Sequence, residues 1–335
     1  MRFRPLSDQI ILLTGATSGI GLASARKLSK AGAQLILVAR GAEDCAKLAA
    51  ELPQAIAAPA DVADAEALRA AAQLGLDRWG RIDTWINDAG VAIYGSVEEV
   101  PIEEQRRLFE TNYWGALNGM LEAIRLHRTG NGPAKIITLG SQLSDIAMIF
   151  QGPYSASKHA VKAVNDALRM EVMREGLPLS ITLIKPGSVD TPYMEHARNH
   201  LASEGTVNPP RVYAPEVVAE GIAWACTHHI RDLDVGGAGW LVAKAGQFAP
   251  TLSDLGMAAM GRMLQTSKTA PRTGMRDNLS STARGGETRS NKMGIGARET
   301  SLLMKAQMHP VTSLAIGGGL LALALVMHGS ASKTR

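Results

Sequence analysis

The chain has 335 residues, 46% of them apolar and 20% charged, which is the composition of a globular protein with a large core and excludes a disordered or fibrous chain. Its two cysteines, Cys45 and Cys226, show no metal-ligand spacing, so a disulfide framework is excluded and a reducing compartment is expected. From Arg262 onward eleven Lys/Arg face three Asp/Glu, a net of +8, so the preceding 24 basic and 28 acidic residues carry −4 within the overall +4. The basic tail either meets an anionic surface or serves as a soluble linker, and no nucleic-acid partner is expected for the slightly acidic body.

In chain order, MRFRPLSDQIILLTG opens with two arginines and an apolar run, Ile10 to Leu13, too short for a signal peptide. It reads as a first strand, and a cytoplasmic, non-secreted protein is expected. Over the first 250 residues short apolar runs alternate with helix-like stretches, which predicts a Rossmann-like α/β fold: a doubly wound parallel sheet with helices on both faces. Strands are predicted at 10–14, 34–39, 55–58, 84–87, 135–139, 180–184 and 239–242. The first helix is predicted over 20–31 and ends at Gly32 as a left-handed cap. One catalytic domain is drawn over 1–261. Residues 262–308 are polar, basic and turn-rich, and are expected to be a mostly disordered linker. Residues 309–330 include seventeen uncharged residues from Val311 to Met327. As a helix these would extend about 25 Å, against a hydrocarbon core of about 30 Å. A membrane anchor is expected there, the alternative being a terminal helix docked on the body.

The segment TGATSGIG, from Thr14 to Gly21, lies between the first strand and the first helix. Gly15, Gly19 and Gly21 allow a tight turn, close approach to a pyrophosphate and helix–strand packing, while the helix start offers N–H groups to an anion. A dinucleotide contacted by Thr14, Gly15, Thr17, Ser18, Gly19, Ile20 and Gly21 is therefore expected. The second strand ends in Ala39-Arg40 where an acidic residue would bind the adenosine ribose. Arg40 can pair with a 2′-phosphate, so NADP(H) is favoured over NAD(H), with Glu43 and Asp44 nearby arguing the other way.

Taken together, six ordered motifs resemble those of the short-chain dehydrogenase/reductase family, over about residues 8 to 245. TGATSGIG corresponds to the cofactor loop. Asp61-Val62 follows the third strand, where the family holds adenine. NDAG at 87–90 corresponds to NNAG, with Asp88 replacing the second asparagine at a structural position; it places Asn87, Ala89 and Gly90 beside the cofactor. NYWG contains Asn112, and ITLGS ends at Ser141, thirteen residues before Tyr154. KPGSVDTP places Pro186, Gly187, Val189 and Thr191 over the nicotinamide. The resemblance implies oxidoreduction between a carbonyl and an alcohol, with Tyr154 as general acid/base and Ser141 bonding the reacting oxygen. Lys158 would favour the Tyr154 phenolate and hold the nicotinamide ribose, and Asn112 would hold a water in a proton relay. Tyr154 and Lys158 are four residues apart, hence on one helix face. A homodimer or homotetramer is implied as well.

The substrate is expected to be a small carbonyl or alcohol. It would lie under a mobile lid formed by the segment after PGSVDT, with Met194, Leu201, Val207 and Tyr213 as apolar contacts and His196, Arg198 and His200 as polar ones. With a membrane anchor, a lipophilic substrate is favoured. An epimerase or dehydratase of the same fold, and a non-catalytic cofactor-binding sensor, are the alternatives. No metal site is expected, and His159, His228 and His229 read as surface or packing residues.

Overall fold

The computed structural model describes residues 3–201, 204–268, 277–282, 285–290 and 296–313. Seven strands form one parallel sheet: β1 (Ile10–Thr14), β2 (Gln34–Val38), β3 (Ala55–Ala57), β4 (Thr84–Asn87), β5 (Lys135–Leu139), β6 (Ser180–Pro186) and β7 (Asp232–Val235). Their spatial order is β7-β6-β5-β4-β1-β2-β3. Helices fill the connections: α1 (Gly19–Lys30), α2 (Ala42–Glu51), α3 (Ala65–Trp79), α4 (Ile102–Phe109), α5 (Gly115–Arg128), α6 (Gly152–Arg174), α7 (Tyr193–His196) and α8 (Pro215–Thr227). The sheet is covered on both faces, so its central strands are apolar throughout rather than alternating. In β1, Ile11 and Leu13 pack toward one face with Leu28, Val218 and Ile222, whereas Ile10 and Leu12 pack toward the other with Leu68, Met120 and Val161. The doubly wound Rossmann-like fold is as expected.

The sheet order reverses between β1 and β4, so the connections leaving these two strands diverge and open a crevice at their carboxyl ends. Thr14, Asn87, Leu139 and Pro186 end four neighbouring strands along that edge.

Two expectations change. The last strand is Asp232–Val235, while 239–242 lies inside α9 (Gly237–Phe248). Asp234 sits in a strand because its carboxylate lies 3.3 Å from buried Lys185 on β6, an ion pair that local hydrophobicity does not reveal. The change of direction falls at Gly236, at φ +110°. The boundary drawn at 261 falls within α10 (Pro250–Gln265), and the described parts of 262–308 are held against the body rather than forming a disordered linker. Thr266–Ser267 pairs antiparallel with Gly205–Thr206. Leu279 is fully buried among Val91, Ile93, Val100 and Leu108. In α11 (Leu302–Met308), Met304 joins the main core and the Gln307 amide bonds both backbone groups of Asp234 on edge strand β7, at 3.1 and 3.0 Å. These few apolar anchors are too sparse in sequence to form a periodic pattern. Of the expected membrane anchor, only 309–313 is described; among the described residues no helix is long and apolar enough to cross a membrane.

Candidate active site

At the carboxyl edge of the sheet lies a mainly apolar cleft of about 490 Å³, within the range of small-molecule and cofactor sites. Gly15, Ser18, Gly19, Ile20, Ala89 and Gly90 line one end of it. Ser141, Tyr154 and Lys158 also line it, as do Pro186, Gly187, Val189 and Thr191, the last of these next to Gly19. A smaller cavity continues past Thr17, Arg40, Asp61 and Val62.

The loop between β1 and α1 forms a cradle that only glycine fits. Gly15 has φ +72°, and a Cβ there would lie 2.8 Å from the Ala89 nitrogen. A Cβ on Gly21 would lie 2.1 Å from the Gly15 carbonyl oxygen. The first turn of α1 thus presses against the chain leaving β4, with the Gly19 N–H donating to the Glu287 carbonyl at 2.9 Å. Thr14, Gly21 and Asn87, expected beside a cofactor, do not line either cavity and stand behind this cradle. Thr14 Oγ1 accepts from the Asp88 and Ala89 N–H groups at 3.1 and 3.2 Å. Asn87 Oδ1 accepts from the Trp85 indole at 2.9 Å, and its amide donates to Thr138 at 3.4 Å.

Ser141 ends the β5 connection as the N-cap of a short 3₁₀ turn. Its Oγ accepts from the Leu143 N–H at 3.0 Å, while its own N–H donates to Ser144 Oγ at 3.1 Å. This reciprocal cap fixes the hydroxyl with its proton free to point away. Tyr154 and Lys158 sit in the first two turns of α6. The Ser141 and Tyr193 hydroxyls both favour the Tyr154 phenolate, and the Tyr193 ring meets the Tyr154 ring edge-on at 5.7 Å. The Lys158 Nζ lies 5.8 Å from the Tyr154 ring centroid and donates to the Leu139 carbonyl at 2.9 Å.

Burial dominates the electrostatics. It pushes the Tyr154 phenol up to about 12, against the lowering effect of its Tyr193 and Ser141 hydrogen bonds, with the negative Asp88 adding to the rise. Lys158 is not among the causes of this shift. Burial also lowers Lys158 to about 8, partly countered by Asp88. Asp88 itself is raised to about 7 by burial, against the pull of Lys158 and of a hydrogen bond from the Gly21 N–H. The substitution in NDAG thus places a carboxyl between the anion-binding helix start and the cleft lysine.

Asn112 does not line the cleft. It falls within a π-helical turn, Glu110–Trp114, between α4 and α5, and its amide closes a pair of hydrogen bonds with the Val91 backbone, at 2.8 and 3.0 Å, while also donating to Ser157. Arg40 faces the smaller cavity but donates to the Asn278 and Ser281 carbonyls. Burial alone would raise Asp61, but a 2.6 Å hydrogen bond from Arg107 holds it below the ordinary carboxylate range.

The segment after PGSVDT is tied down. Met194 and Leu201 bury with Ala92 and Tyr94 instead of facing the cleft, and Arg198–Asn199 pairs with Ile93–Tyr94. Arg198 and His200 both bond Glu104. Tyr213 and His196 do reach the cleft. Two residues not singled out from the sequence matter: Tyr193, next to the motif proline, and Gln142. The Gln142 amide bonds the Gly236 carbonyl at 2.5 Å, and a Cβ on Gly187 would lie 2.7 Å from its Oε1. The adjacent YM dipeptide and Ser141-Gln142 pair carry no periodic signal that would have marked them.

A Rossmann sheet with a glycine cradle at its switch point and a Ser–Tyr–Lys cluster at its edge defines a nucleotide-binding oxidoreductase class. Residues 9–202 match the short chain dehydrogenase family, and the chain belongs to that family. It is similar to the uncharacterized oxidoreductase YxnA of Bacillus subtilis, 35% identical over 97% of this chain and 92% of the relative. It is also similar to dehydrogenase/reductase SDR family member 7B of Xenopus tropicalis, 30% identical over 77% of this chain and 87% of the relative. Among solved structures, an alcohol dehydrogenase from Thermococcus sibiricus, complexed with 5-hydroxy-NADP, is 25% identical over 68% of this chain and 95% of that one, with a TM-score of 0.58. A short-chain dehydrogenase/reductase from Burkholderia phymatum in complex with NAD shares the fold at TM-score 0.66 and 21% identity, over 74% of this chain and 96% of that one. The chain is an oxidoreductase of this family with an NAD(P)-binding fold.

Proposed function

We propose that the protein interconverts a carbonyl and an alcohol with NADP(H), with Tyr154 as the acid that protonates the carbonyl oxygen. The observation that carries this is the cleft lined by Ser141, Tyr154 and Lys158 together, with the Lys158 Nζ 5.8 Å from the Tyr154 ring centroid and Ser141 favouring the Tyr154 phenolate. The glycine cradle fits a dinucleotide, since side chains at Gly15 and Gly21 would collide with backbone. Gly15, Ser18, Gly19 and Ile20 would hold its pyrophosphate, and Pro186, Gly187, Val189 and Thr191 its nicotinamide end. When bound, the cofactor supplies the hydride.

This chain's residues would do the rest. Ser141, its hydroxyl oriented by the 3₁₀ cap, donates to the carbonyl oxygen and stabilises alkoxide character as it develops. Tyr154 delivers the proton, which suits a phenol whose protonated form is the stable one at neutral pH. Lys158 holds positive charge beside the phenol and favours the phenolate left behind. Asn112 contributes from behind, by fixing the Val91 backbone and the π-helical turn. Arg40 supports preference for a 2′-phosphate, because the acidic residue expected of an NAD site is absent from the end of β2.

The apolar lining of the cleft supports a lipophilic substrate. Leu241, Phe248, Leu252 and Leu255 are exposed on the neighbouring α9–α10 hairpin and extend that apolar character to the surface. Exposed Ile102, Trp114, Leu121, Met170 and Met173 on α4 to α6 support a homo-oligomer. The uncharged stretch from Val311 to Met327 supports membrane association.

The test is NADPH oxidation against a panel of ketones and aldehydes, followed by Tyr154→Phe. Turnover should fall at least about a thousandfold in the variant, with NADPH affinity changed by less than about twofold. Retained turnover would mean that another group is the acid.

A further inference from the structure

Residues from the C-terminal extension line both the larger cleft and the smaller cavity. Asn278 lines both, and Thr282 and Gly285 line the smaller one. The segment reaches this position through attachments along its whole length. Asp277 receives a two-pronged bond from Arg198, at 2.7 and 3.1 Å. Leu279 is fully buried, and its carbonyl accepts from Arg107 at 3.3 Å. The carbonyls of Asn278 and Ser281 hold the Arg40 guanidinium. Further on, Gly285 N–H donates to Asp44 at 2.8 Å, Gly286 N–H to the Thr17 carbonyl at 2.9 Å, and Gly19 N–H to the Glu287 carbonyl at 2.9 Å. Ser290 ends the strap with a 2.8 Å bond to Glu195 of α7.

Two features show that this strap is built to lie here. A Cβ on Gly285 would lie 3.0 Å from the Thr17 carbonyl oxygen and from Asp44, and Gly286 has φ +98°. The backbone lies too close to the cofactor loop, and turns too sharply, for other residues. The strap also borders both cavities, and the Asn278 Oδ1 is buried with no hydrogen-bond partner among the described residues. A buried amide oxygen without a partner is costly unless something else bonds the amide.

We propose that residues 277–282 and 285–290 form the outer wall of the dinucleotide site, with Asn278 as a cofactor-binding residue and Arg40 positioned by the strap's carbonyls. This rests on the reading of the cleft as an NADP(H) site and extends it. The cofactor would run past Asn278, which lines both cavities, beside the strap's direct bonds to Thr17 and Gly19. Because Asp277 and Ser290 tie the strap to the α7 segment, nucleotide binding and the substrate-side wall would be ordered together. The match to the Bacillus subtilis relative spans 97% of this chain, so it takes in the strap.

The test compares the full-length protein with Asn278→Ala and Gly286→Val by NADPH fluorescence titration, with NADH in parallel. Thermal melting verifies that each variant is folded. Asn278→Ala keeps the backbone carbonyl and removes the amide; Gly286→Val forces a β-branched residue into positive φ and releases the strap. Each should weaken NADPH binding about five- to tenfold, the value of one or two hydrogen bonds. Gly286→Val should affect NADPH more than NADH, because Arg40 loses its support. NADPH should also slow tryptic cleavage within 269–295 of the wild type. Unchanged or tighter NADPH binding in either folded variant, or faster cleavage with NADPH, would overturn the proposal and leave the strap a bystander or an obstruction. A wild type that binds neither nucleotide would instead refute the functional reading on which the proposal rests.

Discussion

Asp88→Asn tests the electrostatic account of the cleft most directly. The wild-type carboxyl has an ordinary value of 3.8 and is raised to about 7 in the folded protein, chiefly by burial. Between those values the folded state holds a proton that the unfolded state has lost. Stability from this group is therefore greatest in acid and declines as pH rises toward 7. Each pH unit fully inside the window is worth about 1.4 kcal/mol, so the loss between pH 5 and 7 comes to about 2 kcal/mol. Asparagine can still accept the Gly21 N–H but carries no charge to desolvate. Urea denaturation of both proteins at pH 5, 6 and 7, at constant ionic strength, should show the variant gaining about 2 kcal/mol on the wild type across that range. A pH-independent difference, or one of opposite slope, would refute the reasoning, because it would mean that the Asp88 carboxyl is not buried against the start of α1.

Other substitutions probe the remaining contacts. Tyr193→Phe removes a hydrogen bond that favours the Tyr154 phenolate; alcohol oxidation should slow about fivefold and its basic limb should move to higher pH, whereas an unchanged pH profile would exclude the contact. Met304→Ala should cost about 2–4 kcal/mol in urea denaturation, since the side chain is fully buried in the main core; a cost under about 0.5 kcal/mol would mean that α11 does not pack there. Gly21→Ala places a Cβ within 2.1 Å of the Gly15 oxygen, so dinucleotide binding should be lost in titrations even where the protein remains folded.

Much was readable from local pattern. Continuous apolar runs marked six of the seven strands, because a parallel sheet covered on both faces needs apolar residues at every central position. The glycine spacing at 15, 19 and 21 carried the cradle, because backbone clearance there depends on the missing side chains themselves. Helix spacing put Tyr154 and Lys158 on one face, the family resemblance added Ser141, and the structure brings the three into one cleft. What failed were features whose cause is distant in sequence. The strand at 232–235 is defined by its pairing with β6, and the described parts of the tail dock through single anchors such as Leu279 and Met304.

Sequence alone determined the fold class, the nucleotide loop and the cluster of reactive side chains, because periodicity, glycine positions and short-range spacing are local properties of the chain. Tertiary structure alone decided the state of those groups. Burial raised the Tyr154 phenol and the Asp88 carboxyl above their ordinary values, and folding laid residues from the C-terminal extension against the glycine loop. Desolvation and long-range contact depend on what surrounds a residue in space, which its neighbours in sequence do not specify.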